Sequence, residues 1–236
     1  MWAKPSIIMI FKILLAIHIT AGALGIGSGM GALLFRKGQK RHNQWGRVFY
    51  YAMLTMGSSA FLLGIFFQGS LMNGTIGLFT TYLVISAFGA VKNRTGHAGR
   101  RETWEFVLGL VCLLIFGILS VDVLRNGTKT DGLPFPVYYS YTGVALLVSL
   151  FDLKLIKNRG IYGAQRIGRH LGRMCIALLI ATASYFLGQP NFLPAPIRGT
   201  FIPVIPVLLV LLSWIFWLVK NFATRRFKKR KVRAMA

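Results

Sequence analysis

Apolar residues run along this chain in long uncharged blocks, Ile13–Phe35, Val48–Val91, Phe106–Val121, Gly132–Phe151, Met174–Ile197 and Gly199–Val219, and the charged residues gather in the gaps between them. A helix crossing a hydrocarbon core of about 30 Å needs roughly 20 predominantly apolar residues. The 44-residue block Val48–Val91 therefore holds two spans, divided at the turn signals Gln68-Gly69-Ser70 and Asn73-Gly74. The pattern predicts an all-α integral membrane bundle of seven transmembrane helices, at about Ile7–Phe35, Val48–Phe67, Thr75–Val91, Trp104–Leu124, Pro136–Leu155, Leu171–Leu187 and Phe201–Leu218. The fourth rests on the shortest run, 16 residues between Glu105 and Asp122.

The charges test that fourth helix. Lys and Arg number 28 against five acidic residues, a formal net charge of +23. Rich and poor connections alternate: five basic residues lie in Arg36–Arg47, four in Lys92–Arg101, six in Lys154–Arg173 and eight in Lys220–Arg233. The other side carries only five, so the split is 23 to 5. Short cytoplasmic loops carry the excess of Lys and Arg, which puts the N-terminus outside and the C-terminus in the cytoplasm. Without helix 4 the later rich segments would lie outside. The division that follows is a seven-helix transmembrane domain over 1–220 and a basic cytoplasmic tail over 221–236.

With 55% hydrophobic residues, 14% charged residues and a mean hydropathy of +0.60, a soluble globular domain is excluded. A basic nucleic-acid binder is excluded with it, because the basic residues alternate with membrane-length apolar blocks instead of lining one surface. Ile13–Phe35 is too long for the apolar region of a signal peptide and has no cleavage pattern before the basic cluster, so it is expected to stay as a helix. Cys112 and Cys175 sit singly within apolar runs, away from any disulfide, zinc or c-type haem spacing.

Helix 1 carries His18, Gly22, Gly25 and Gly29 at offsets of four, seven and eleven, on one face. Small residues in such a stripe let another helix approach closely. The same glycines resemble a nucleotide-binding loop only superficially, since no strand-to-helix turn is present. His18 is an ionisable group within a span; such groups face the bundle interior or a water-filled cavity. It either bonds to a carbonyl or hydroxyl of a neighbouring helix or serves as a ligand.

His42, His97 and His170 fall on the cytoplasmic side, as does Asp152 at the inner end of helix 5. His42 and His170 are the candidate cofactor-binding residues, as the two axial ligands of a b-type haem, and with Asp152 they could hold a divalent metal. The competing reading places both histidines among headgroups beside Arg41, Arg169 and Arg173, with Asp152 paired to one of those arginines. His97, flanked by glycine and charge, is expected in an exposed loop. In the tail, Arg225, Arg226, Lys228, Lys229 and Arg230 carry enough charge to bind anionic lipid at about 1 kcal/mol per basic residue, and they also act as topology determinants.

The chain further contains His18-Ile19-x-x-Gly22, Lys37-Gly38-x-x-x-His42-x-x-x-Gly46-Arg47-Val48-Phe49 with Met53 beyond it, and Arg169-His170-x-Gly172-Arg173-Met174 followed by Ile180-Ala181-Thr182-Ala183. With Tyr82-Leu83 and Asp152-Leu153, this combination resembles a prokaryotic multi-pass membrane family catalogued as a domain of unknown function (number twenty-three-oh-six). The resemblance implies a multi-pass protein of the prokaryotic plasma (inner) membrane, with histidines at His18, His42 and His170, and it brings no activity with it. Members carry a tryptophan-aspartate pair where this chain has Trp104-Glu105, and a phenylalanine in the helix 6 motif where this chain has Tyr185 nearby.

Three functions remain in competition. A haem-b or metal-binding electron-transfer protein would use the cytoplasmic-face histidines. A transporter or proton pathway would account for His18 together with Thr20, Thr55, Ser58 and Ser59. A non-catalytic membrane assembly partner would use the basic face. A seven-helix metal-dependent hydrolase is disfavoured by the lack of an H-x-x-x-H pair and the scarcity of acids.

Overall fold

The computed structural model describes residues 5–127 and 133–234, and beyond Asn221 it describes among side chains only that of Ala223. Seven long helices account for most of it: α1 (Pro5–Leu34), α2 (Lys40–Leu62), α3 (Leu71–Lys92), α4 (Arg100–Asn126), α5 (Phe135–Lys157), α6 (Ala164–Phe186) and α7 (Val204–Ala234). A π-helical turn, Leu63–Phe67, continues α2, and two short 3-10 turns, Pro190–Phe192 and Ala195–Ile197, precede α7. Among the described residues no strand forms, and the only bridge joins His97 to Gly160.

Six of these helices are long and apolar enough to cross a membrane: α1, α2 with its π turn, α3, α4, α5 and the Val204–Asn221 part of α7. In α6 the arginines Arg166, Arg169 and Arg173 occupy the first half, so the uncharged part is confined to Met174–Phe186.

Two helix starts differ from the sequence expectation. α2 begins at Lys40 instead of Val48 and α6 at Ala164 instead of Leu171. An apolar block marks where a chain can contact hydrocarbon, whereas backbone hydrogen bonds carry the helix on into the polar zone. His42, Arg169 and His170 consequently stand on helices, not in loops. The break after α2 falls at Gln68–Ser70, where Gly69 takes a positive φ of 63°. Ser70 caps α3 by accepting the Asn73 amide at 3.1 Å, so Asn73-Gly74 lies in the first turn of α3 and not in the connection. The tail expected as a separate segment continues the backbone of α7 to Ala234. The side chains of Arg225, Arg226, Lys228, Lys229 and Arg230 lie outside the described residues.

α3 is the central helix. It packs against α2, α4 and α6, and it buries residues on every side, from Met72 through Phe79, Tyr82, Leu83 and Val84 to Ala90. α1 packs on α2 and α6, α4 on α5, and α7 on α6. Ile7, Ile8, Met9, Ile10, Ile13 and Ile17 of α1 and Leu208, Leu209, Leu212 and Phe216 of α7 remain exposed. An outer apolar layer of this extent suits acyl chains and not water.

Glycines govern the tightest helix contacts. A Cβ at Gly25 would stand 2.8 Å from Met53 Sδ, and one at Gly29 would stand 2.7 Å from Leu178 Cδ1 and 2.9 Å from the Phe49 ring. Gly22 has more room, 3.6 Å from Met56 Sδ. The α2–α3 contact is closer still, with backbone against backbone: a Cβ at Gly77 would lie 2.6 Å from the carbonyl oxygen of Gly57. The glycine run of α1 is dense along the sequence, whereas the single glycines at 57 and 77 become a pair only once α2 and α3 pack together.

Candidate functional site

The buried charged side chains, Glu102, Glu105, Asp152 and Arg173, lie at one end of the bundle, where α1 ends, α2 begins, α3 ends, α4 begins, α5 ends and α6 begins. The last carbonyls of any helix lack partners within the helix and attract cations. At the end of α1, Lys37 Nζ donates to the carbonyls of Ala32 at 2.9 Å and Leu33 at 2.8 Å, and His42 Nδ1 reaches the same Ala32 oxygen at 3.0 Å. Lys37 also lies 4.4 Å from the centre of the Trp217 ring. Burial pushes its ammonium below the usual lysine range.

His170, in the second turn of α6, places Nδ1 3.0 Å from the Ala87 carbonyl of α3. A carbonyl can only accept, so Nδ1 carries the proton in both His42 and His170. Each imidazole then keeps Nε2 as a bare acceptor. This is the tautomer that a ligating histidine adopts, with its second nitrogen held by a backbone carbonyl.

Beside these histidines lies a buried ionic cluster. Asp152 of α5, 1% exposed, accepts from Arg169 and Arg173 of α6 and from the Tyr82 hydroxyl of α3. Arg169 Nη2 continues to Glu105 Oε2 of α4 at 3.0 Å. Glu105 Oε1 stands 3.2 Å from Arg101 Nε, and Arg101 Nη2 donates to Glu102 at 2.5 Å. Glu102 also accepts from the Gly99 amide and from Asn93. Three guanidinium groups thus meet three carboxylates across α4, α5 and α6, with Tyr82 of α3 closing the group. Arg173 further covers the Tyr82 ring at 5.1 Å.

Asp152 thus faces Arg169, Arg173 and Tyr82, and its hydrogen bonds do not include His42 or His170. Among the described residues no three His, Cys, Asp or Glu side chains come together to hold a metal ion. Two guanidinium groups and a phenol supply a buried carboxylate with the donors it needs in a low-dielectric site. The pairing of Asp152 with neighbouring arginines, the competing expectation, is the arrangement found. Glu105 and Tyr82 were not expected there. The available signal was the rarity of acids: of five in the chain, Glu102, Glu105 and Asp152 all fall at the basic-rich ends of helices.

The remaining candidates lie apart. His18 Nδ1 contacts the Met56 carbonyl at 3.1 Å and Ser59 Oγ at 3.2 Å, both on α2. That is the bond to a neighbouring helix expected of a structural imidazole. Thr55, Ser58 and Ser59 line an open groove of about 370 Å³ between α1 and α2, with Leu14, Ile17, Leu54 and Leu62. His97 is exposed, with Nδ1 3.0 Å from the Tyr162 hydroxyl. The two loops there are stitched together by Ile161 N–H to Gly96 O at 2.9 Å and Ala98 N–H to Arg159 O at 3.1 Å. Cys112 and Cys175 are free and buried.

No family model matches the chain, and no curated protein or solved structure matches it.

Proposed function

We propose that this chain is a seven-span membrane protein that holds a b-type haem between His42 and His170 and uses it for electron transfer. The observation that carries this reading is the common state of the two imidazoles: both direct Nδ1 to a main-chain carbonyl, which in the neutral ring leaves Nε2 as the acceptor. Two axial nitrogens satisfy a haem iron.

The seventh span is α6. Its 23 residues reach about 35 Å at 1.5 Å per residue. Arg169 and Arg173 would be costly there alone, but Asp152 and Glu105 neutralise them within the bundle. The 23 to 5 division of basic residues supports an outside N-terminus and a cytoplasmic C-terminus. We further place the chain in a prokaryotic plasma membrane, with anionic lipid as the partner of the basic α7 extension.

Absorbance of the detergent-purified protein tests the reading. Cells supplied with haem precursor should yield a protein with a Soret band, and His42→Ala or His170→Ala should lose it, while His97→Ala should keep it. A wild-type protein without the band overturns the haem.

A further inference from the structure

A second site lies between α4, α6 and the loop after α3, apart from the two histidines. It is a small cavity lined by Ala90, Asn93, His97, Glu105, Arg166 and Arg169, among others. Its interior, about 10 Å³, is about the size that holds one water. Two lining residues carry buried polar atoms with no hydrogen-bond partner: Glu105 Oε1 and Arg166 Nε. Glu105 is 6% exposed. Its Oε1 has Arg101 Nε at 3.2 Å as a charge neighbour only, and Arg166 spends Nη1 on the Asn93 carbonyl at 2.9 Å.

One of these orphaned atoms is an acceptor and the other a donor. An occupant must therefore donate and accept at once. A halide would satisfy Arg166 and be repelled by Glu105, and a cation would meet the reverse difficulty. Leaving both atoms dry costs each its hydration, whereas one bridging water restores both bonds at a small entropic cost.

We infer that this cavity binds a single water molecule, which accepts from Arg166 Nε–H and donates to Glu105 Oε1. The water completes the ionic cluster and makes Glu105 its hydrated end, while Asp152, outside the cavity, is the dry end. The inference does not depend on a haem.

The chain contains two glutamates and three aspartates, so side-chain carboxylate labelling gives few signals. Full-length protein labelled with 13C at its Glu and Asp carboxylates is placed in lipid bilayers, and magnetisation transfer from water protons is read by solid-state NMR. Glu105, assigned by the signal missing in Glu105→Gln, should receive transfer from water, and Asp152 should not. Ala90→Leu, which fills the cavity, should abolish the Glu105 transfer; Ala90→Val serves if the larger side chain prevents folding. The inference is overturned if Glu105 is as dry as Asp152, or if its hydration survives the filled cavity. A dry Glu105 whose signal shifts when chloride is replaced by gluconate would assign the cavity to a halide instead.

Discussion

Tyr82 on α3 donates its hydroxyl proton to the Asp152 carboxylate on α5, across 70 residues of sequence. The same carboxylate holds both Arg169 and Arg173 of α6, so one buried group ties three helices, and Arg169 passes the link to α4 through Glu105. Removing one partner of a buried ion pair leaves the other charge uncompensated. Asp152→Ala should therefore destabilise the protein by about 3–5 kcal/mol, read as the shift of the thermal unfolding midpoint in detergent. An unchanged midpoint would show that the cluster does not hold the bundle together.

Tyr82→Phe keeps the ring under Arg173 and removes only the hydroxyl. Asp152 retains its two arginines, so the cost should be about 1–3 kcal/mol, that of one buried bond to a charged acceptor. A loss as large as that of Asp152→Ala would mean that the phenol, and not the arginines, carries the cluster.

Gly25 and Gly29 of α1 touch Met53, Phe49 and Leu178, while nothing lies within 4 Å of a Cβ built at Gly27. Leucine at Gly25 or Gly29 should overpack the contact and cost about 1–3 kcal/mol. Leucine at Gly27 should be tolerated. Equal tolerance at all three positions, measured by resistance to detergent unfolding, would refute the assigned face.

At Gly77 the obstacle is the backbone of α2, which cannot rotate away as a methionine side chain can. Gly77→Ala should thus destabilise more than Gly25→Ala, although the added methyl is the same. A double substitution at Gly57 and Gly77 should fall short of additivity, because both residues serve one contact.

The orientation rests on the basic residues and is checked with reporter fusions. Fusions after Phe35, Val91, Leu155 and Ala236 should be cytoplasmic, and fusions in the connections after Phe67 and Leu124 should lie outside. A C-terminal reporter on the outer side would end the seven-span reading.

Polarity along the chain carries one-dimensional information. The lengths of its apolar blocks place seven long helices close to where they occur, because an apolar run of given length has one economical way to satisfy its backbone. The dense glycines of α1 and the exposed loop of His97 were legible for the same local reason. The company each polar group keeps depends on how the helices pack. Asp152 was as near in sequence pattern to His42 and His170 as to any arginine, and Glu105 served merely to mark where a helix starts. Once α3, α4, α5 and α6 pack together, a carboxylate removed from water draws the strongest available donors, two guanidinium groups and a phenol. The two histidines, with carbonyls at Ala32 and Ala87 to accept their Nδ1 protons, are left with Nε2 free. Which faces of the helices meet is set by packing in three dimensions, and no spacing along the chain encodes it.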